Sequence, residues 1–425
     1  MTPIIASIVN EIVAKITEYF LFADITPYKS QKYVIKYSDS AINYEKQYEH
    51  THDTADIDIP PIIVIGGTTA SGKSDIAVEV AKRIRCKIPI IVNADSRQIY
   101  DKLIIGAAQP FFDQADNTFN KSSSILGGST LKCNNIQCND TCLSEKKNIA
   151  KAGNNITNKK AEDISKKYNL QTINGIAHLM YGYKSIIDDY NLFDYKNDCD
   201  EILKSISGTP ILVGGTGMYI ESVIYNYEIN NQFIDKNIDI QKDNLRERLN
   251  ILDVNQLQKL AGDSVKLLNN SDKNNPRRLI RIIEKKTYYG EENLKDLYQK
   301  RRNRRHIYFS LIPEKEIAID RINNRTNKMF DNGLIEENIS IIKFLHEKKM
   351  TAQNVKSLNS IGYKEFFTNS NFYRLVEKSI SEKTDKIIVD DSIKKEIINS
   401  ININTVKLYK KQKTWFSKNH LDISQ

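Results

Sequence analysis

The stretch that decides the fold is Pro61-Ile62-Ile63-Val64-Ile65-Gly66-Gly67-Thr68-Thr69-Ala70-Ser71-Gly72-Lys73-Ser74. Ile62 to Ile65 are all β-branched and show no polar face, so they suit a strand buried on both sides in a parallel sheet. Gly67 to Ser74 fit the pattern G-x-x-x-x-G-K-[ST]. Ile76, Val80 and Ile84 then recur at helical spacing. Strand, glycine-rich turn and helix form the context that a phosphate loop requires. In such a loop successive backbone N–H groups point inward and the helix N-terminus adds partial positive charge. Gly67, Thr68, Thr69, Ala70, Ser71, Gly72, Lys73 and Ser74 are therefore expected to cradle a polyphosphate. Lys73 supplies the full charge, and Ser74 offers a hydroxyl to Mg²⁺. The motif leaves open whether a phosphoryl group is transferred or pyrophosphate departs.

Further buried strands are expected at Ile88–Val92, Pro210–Val213 and His306–Ile312. Strands alternating with helices predict an α/β fold with a parallel sheet. Asn93-Ala94-Asp95-Ser96-Arg97-Gln98-Ile99-Tyr100 follows the second strand. That puts Asp95 at a carboxyl strand end, where open α/β sheets bind ligands. The polar run Asp95, Ser96, Arg97, Gln98 suits a partner with hydrogen-bonding edges, and glutamine pairs well with adenine. A helix cap followed by solvated residues fits the same run. Gly214-Gly215-Thr216-Gly217 follows the third strand and permits a tight turn near the same edge. A purely structural turn is the alternative.

Outside this frame the composition changes. Residues 1–59 are polar and tyrosine-rich, and read as a poorly ordered N-terminal extension. Met1–Ala23 within it reads as a short amphipathic helix. It lacks a basic start and is interrupted by Glu11, Lys15 and Glu18, unlike a signal peptide. Residues 60–228 form the α/β core, interrupted at 113–171 by a low-complexity insertion rich in Asn, Lys and Ser. Cys133, Cys138 and Cys142 fall in that insertion and lack the usual C-x₂-C pair of a zinc site. Residues 229–303 read as a separate helical lobe, and 304–425 complete the core and end in helices.

The 425 residues carry 62 basic and 53 acidic side chains, a net charge of +9. Such an excess suits an anionic partner, although drift towards Lys, Asn and Ile produces it too. With 17 Gly and 9 Pro the chain is neither collagen-like nor wholly disordered. Five cysteines are too few for a disulfide scaffold and fit a reducing, cytoplasmic setting. No apolar run reaches about 18 residues, so neither a membrane span nor a membrane partner is expected.

Six motifs in order, GGTTASGKS (66–74), NADSRQIY (93–100), ILVGGTGMYI (211–220), NPRRLIRIIE (275–284), SLNSIGYKE (357–365) and KKQKTWF (410–416), make the chain resemble the tRNA dimethylallyltransferase family. The resemblance covers about residues 60–112 and 172–420. It implies a P-loop NTPase-like sheet flanked by helices, with an inserted helical lobe for tRNA, working as a monomer. It implies that the loop holds dimethylallyl diphosphate with Mg²⁺. The acceptor is then N6 of the adenosine 3′ of the anticodon, in tRNAs reading codons that start with U. By the same resemblance Asp95 is the base, Thr69 stands at the bridging oxygen, and Arg321 or Arg325 neutralises the departing pyrophosphate. The anticodon stem-loop would be gripped by Asp95, Ser96, Arg97, Gln98, Thr216, Arg246, Arg277, Arg278, Arg281, Asn359, Ser360, Ile361, Gly362, Tyr363 and Lys364. The C-terminal KKQKTWF segment suits either nucleic-acid contact or packing of the last helix. Departures from the family pattern are Thr68 for Pro, Ala177-His178 for a His pair, and Val406 and Ser417 for Arg. Three other readings stand beside it: a small-molecule P-loop kinase, an adenylate isopentenyltransferase and a non-enzymatic RNA-binding protein.

Overall fold

The computed structural model describes residues 2–22, 29–51, 60–84, 88–113, 156–206, 208–225, 245–268, 270, 272–290, 304–384 and 387–418. The chain divides into two compact units, residues 1–224 with 304–425, and residues 225–303.

Among the described residues the first unit contains one sheet of eight strands: β1 (Lys29–Tyr37), β2 (Ile42–Thr51), β3 (Ile62–Gly67), β4 (Pro89–Asn93), β5 (Gln171–Ile173), β6 (Ile176–Leu179), β7 (Thr209–Gly214) and β8 (His306–Pro313). Their spatial order is β2-β1-β8-β3-β7-β4-β6-β5. Six central strands run parallel; the edge strands β2 and β5 are antiparallel to their neighbours. Every residue of β3, β7 and β8 is buried, as unbroken apolar runs require. The helices are α1 (Pro3–Phe22), α2 (Lys73–Arg83), α3 (Ile156–Lys167), α4 (Leu192–Ser205), α5 (Gly217–Ile224), α6 (Val254–Ala261), α7 (Pro276–Tyr289), α8 (Lys315–Asp331), α9 (Leu334–Glu347), α10 (Lys364–Thr368), α11 (Ser370–Ser381) and α12 (Asp391–Ser417). Among the described residues no helix is long and apolar enough to cross a membrane.

The expectation of a poorly ordered residue 1–59 segment needs correction. Ile8, Val9, Ile12, Ile16 and Tyr19 form one buried stripe on α1. They pack with Tyr33, Ile35 and Tyr37 of β1 and with Ile76, Ala77 and Val80 of α2. β1 lies parallel to β8, from Gln31 opposite Ile307 to Tyr37 opposite Pro313. Tyr33, Ile35 and Tyr37 fill one face and Ser30, Lys32 and Val34 the other, and all six are buried, so β1 is an interior strand whose apolar run is broken by Ser, Gln and Lys.

The insertion is likewise shorter than expected. Its last part forms α3, where Ile164 is buried, followed by Tyr168, whose hydroxyl donates to Asp198 (3.1 Å) and Glu201 (2.8 Å) on α4. Residues 114–155, with Cys133, Cys138 and Cys142, lie outside the described residues. β5 and β6 join through Asn174-Gly175, both at positive φ. Two such residues match the twist of a two-residue hairpin.

The second unit is helical where described. Leu249, Leu257, Ala261, Leu279, Ile280, Ile282 and Ile283 form its core. Asn275 caps α7 by accepting from the Arg277 N–H (3.1 Å), and Pro276 opens the helix, where its missing N–H costs nothing.

Candidate active site

The phosphate loop leaves β3 through Gly67. A Cβ there would lie 2.4 Å from the Leu311 carbonyl oxygen on β8, so only glycine lets these strands end together. Gly72 takes the left-handed conformation (φ 72°) immediately before α2. Side chains from distant segments fasten the loop from outside. The Tyr37 hydroxyl donates to Ser71 O at 2.6 Å, and Arg321 donates to Ala70 O and to the Tyr37 hydroxyl, each at 3.3 Å. Thr69 is held twice. Its N–H donates to Gln412 Oε1 (2.7 Å), and its hydroxyl accepts from Arg325 Nη2 (2.9 Å).

Lys73 Nζ reaches Thr68 O at 3.4 Å. Burial pushes its ammonium below the ordinary lysine range; the neighbouring Arg325 adds to this, and Asp95 opposes it. Burial lowers the Arg325 guanidinium too, again opposed by Asp95. Arg325 Nε and the hydroxyls of Thr68 and Ser71 are buried without a hydrogen-bond partner among the described residues. Two crowded cations and three unsatisfied polar atoms at one glycine-rich loop suit an anion with several oxygens. Arg321 Nη1 donates to the loop backbone and Tyr37, whereas Arg325 reaches the loop's Thr69 hydroxyl.

Across the cleft, buried Asn93 sets the backbone of the acidic segment. Its Oδ1 accepts from the Asp95 N–H (2.9 Å), and its Nδ2 donates to Asp95 O (3.1 Å) and Met180 O (3.0 Å). Asp95 Oδ1 accepts from the Arg97 N–H (3.0 Å). Oδ2 lies beside Gly215, where a Cβ would come within 3.4 Å of it. Gly214 packs so closely on Ala94 that a Cβ would sit 2.1 Å from its carbonyl. The Thr216 hydroxyl accepts from the Ser96 N–H (3.0 Å) and donates to Ser96 Oγ (3.2 Å). The glycine turn is therefore the bracket that holds residues 94–96.

A cleft of about 1470 Å³ joins these parts. Thr69 to Ser74, Asp95, Arg97, Gln98, Arg321, Arg325, Asn359 to Gly362, Lys364 and Gln412 line it. Gly67, Thr68, Ser96, Thr216 and Tyr363 do not. Gln98 donates its amide to the carbonyls of Ala107 (3.2 Å) and Ala108 (2.8 Å), so both N–H groups are occupied by the wall and only its carbonyl is left for a base. Tyr363 is fully buried; its hydroxyl donates to Glu337 (2.7 Å) and accepts from the Ala107 N–H (3.2 Å). It builds the wall from behind and presents nothing to an RNA. The opposite wall carries His178, Tyr181 and the exposed Phe111. Burial pushes the His178 imidazole down to about 4, despite its bond to Ile176 O (2.8 Å) and the charge of Asp113. It is thus a neutral wall residue at pH 7.

In the second unit Arg246, Arg277, Arg278 and Arg281 are all exposed. Arg246 pairs with Glu284 (2.7 Å) and Arg278 with Asp272 (3.7 Å). Sequence reasoning missed Tyr37, Asn93 and Gln412 as builders of the site. Asn93 had a signal, since an amide at the end of a buried strand needs partners. Tyr37 had none, because nothing local links it to residue 71.

A family model described as IPP transferase matches residues 159–419. The tRNA dimethylallyltransferase of Staphylococcus aureus (strain MRSA252) is 25% identical over 374 residues, covering 86% of this chain and 91% of that protein. That of Bacillus mycoides (strain KBAB4) is 26% identical over 369 residues, 85% of this chain and 88% of the relative. Among solved structures, a eukaryotic dimethylallyltransferase described as acting on tRNA superposes with a TM-score of 0.53. It is 18% identical and covers 85% of this chain and 71% of that one. At that identity the likeness shows the fold.

Proposed function

The chain belongs to the IPP transferase family, and on that footing we propose that it moves a dimethylallyl group from dimethylallyl diphosphate to N6 of adenosine 37 in tRNAs reading codons that begin with U. The observation that carries this reading is that one carboxylate, Asp95, lines a single cleft with two cations, Lys73 and Arg325, and its charge opposes the lowering that burial imposes on both.

The chemistry needs both halves. The exocyclic amine of adenine is a poor nucleophile, because its lone pair is delocalised into the ring. As its nitrogen bonds to the allylic carbon, the carbon–oxygen bond to diphosphate breaks and the amine must lose a proton. Asp95 Oδ2 is the acceptor of that proton. Negative charge grows on the bridging oxygen at the same time, and Lys73, Arg325 and the loop N–H groups offset it. The Thr69 hydroxyl, oriented by Arg325, donates to that oxygen. Removing the base from its stack costs a few kcal/mol, which contacts within the cleft must offset.

Magnesium fits this donor set. Ser74 lines the cleft beside Lys73, and Mg²⁺ takes most of its oxygens from a diphosphate and from water rather than from a protein cage. Ser74 would supply the protein oxygen. When bound, the ion neutralises diphosphate charge.

The direct test incubates the protein with labelled dimethylallyl diphosphate, Mg²⁺, unmodified tRNA and adenosine monophosphate. Label is expected in RNA, on adenosine 37. Label entering adenosine monophosphate instead would indicate the adenylate-directed reaction. No label in either acceptor removes the transferase reading.

A further inference from the structure

Gln412 is one amide that ties together two loops. Its Oε1 accepts from the Thr69 N–H of the phosphate loop (2.7 Å), and its Nε2 donates to the Gly215 carbonyl of the glycine turn (2.9 Å). A Cβ on Gly215 would lie 2.8 Å from Gln412 Nε2 and 3.4 Å from Asp95 Oδ2, so a bare backbone is what lets both side chains meet the turn. Gln412 stands on α12, whose end is fixed by other contacts. The Trp415 ring lies against Gly217, and Phe416 is buried near Gly66. Beyond them the β1–β2 hairpin holds the last carbonyls: Lys32 Nζ donates to Lys418 O (2.7 Å) and Gln47 Nε2 to Ser417 O (3.2 Å). Carbonyls at a helix C-terminus lack partners within the helix and attract a cation. Lys32 is nevertheless buried, its ammonium 5.4 Å from the Tyr308 ring centroid, and burying a cation carries a large desolvation cost. About 8 Å of continuous helix separates Gln412 from the clamped end.

We propose that Gln412 is a positioning residue that sets the spacing between the phosphate loop and Asp95, and that Lys32 and Gln47 act through it by fixing where α12 ends. The N-terminal hairpin thereby becomes part of the machinery for transfer. This rests on the function proposed above, but one arm of its test does not.

The test uses the full chain and the variants Gln412→Ala, Lys32→Met, Lys32→Arg and the double variant Gln412→Ala/Lys32→Met. Turnover is read at saturating tRNA and dimethylallyl diphosphate. Inorganic pyrophosphate binding is read separately from the emission of Trp415, the chain's one tryptophan. Gln412→Ala is expected to lower turnover at least tenfold and to weaken pyrophosphate binding severalfold. Lys32→Met is expected to lower turnover threefold to tenfold and to shift Trp415 emission, and Lys32→Arg to restore both. The double variant should lose no more than Gln412→Ala alone, because Lys32 acts through that residue. Multiplied losses in the double variant overturn the proposal. So does Lys32→Met melting earlier with unchanged turnover. Should Lys32→Met fail to fold, Gln47→Ala reads the same link at the hairpin's second contact. If the parent protein transfers no prenyl group, the pyrophosphate arm still decides: unchanged or tighter binding by Gln412→Ala overturns the positioning role.

Discussion

Asp95 is held at one oxygen and open at the other, so its chemistry can be tested apart from its place in the fold. Asp95→Asn keeps size and the Oδ1 bond to the Arg97 N–H but removes basicity. Turnover under saturating substrates should fall about 10²–10⁴-fold, the ordinary worth of a general base, with pyrophosphate affinity little changed. A turnover within threefold of the parent would take Asp95 out of the mechanism. Lys73→Ala should weaken pyrophosphate binding as well as turnover. His178 makes a different prediction. Burial holds it at about 4 in the fold, against about 6.5 in the unfolded chain, so the unfolded chain takes up the proton first as pH falls. The stability that His178 contributes should therefore be constant above about pH 6.5 and decline between about pH 6.5 and 4, by about 3 kcal/mol at most. His178→Gln should flatten that decline in urea unfolding measured at pH 7, 5 and 4. Equal slopes for the two proteins would show that other groups carry it.

Helix α1 and strand β1 show where an element can be unreadable from its own residues. The four runs Ile62–Ile65, Ile88–Val92, Pro210–Val213 and His306–Ile312 stand out because they are almost wholly apolar, as strands buried on both faces tend to be. β1 mixes Ser30, Gln31, Lys32 and Lys36 with its apolar residues, and its value lies in a partner 276 residues away, Tyr33 opposite Phe309 or Lys32 opposite Tyr308. The Asn174-Gly175 hairpin signal was legible but lay against a tract dominated by Asn and Lys. Within the site, Lys73 and Asp95 were legible from motifs, while the role of Thr69 and the pair Arg321 and Arg325 came only from the family resemblance, which left the choice between the two arginines open. The braces Gln412, Tyr37 and Asn93 were not, because their meaning is a distance between segments. If α1 were loose, Ile12→Ala would be silent. Ile12 is fully buried in the core shared with α2, so the change should cost about 2–5 kcal/mol in a denaturant midpoint. The reach of the insertion is testable in the same way. Excising 114–155 with a short linker should leave turnover within tenfold, since loop length alters closure entropy slowly. Extending the cut through α3 should destabilise the fold, because Ile164 and Tyr168 are buried there.

At the scale of the whole molecule, the net charge of +9 has its test in salt. Arg277 and Arg281 are exposed on α7, while Arg246 and Arg278 already meet Glu284 and Asp272. With Lys364, the basic set should release counterions on meeting tRNA, at a log–log slope of about −0.7 to −0.9 for each phosphate contact. Discounting the paired arginines leaves Arg277, Arg281 and Lys364, so a total slope of about −2 to −3 is expected from filter binding at 50–200 mM salt. A flat response would contradict the tRNA assignment. The strand order carries one more consequence, which concerns synthesis rather than function. β8 lies between β1 and β3 in the sheet, yet it is made last of all the strands. When β3, β4 and β7 have left the ribosome, the β1–β2 hairpin has nowhere to dock. From its own completion at Thr51 it must wait until β8 is made, about 260 residues later, on the order of 13–52 s at bacterial-to-eukaryotic rates. Throughout that interval β1 carries an open, tyrosine-rich edge, the feature most prone to mispairing. The lysines that make β1 hard to recognise as a strand are also what keeps such an edge soluble while it waits.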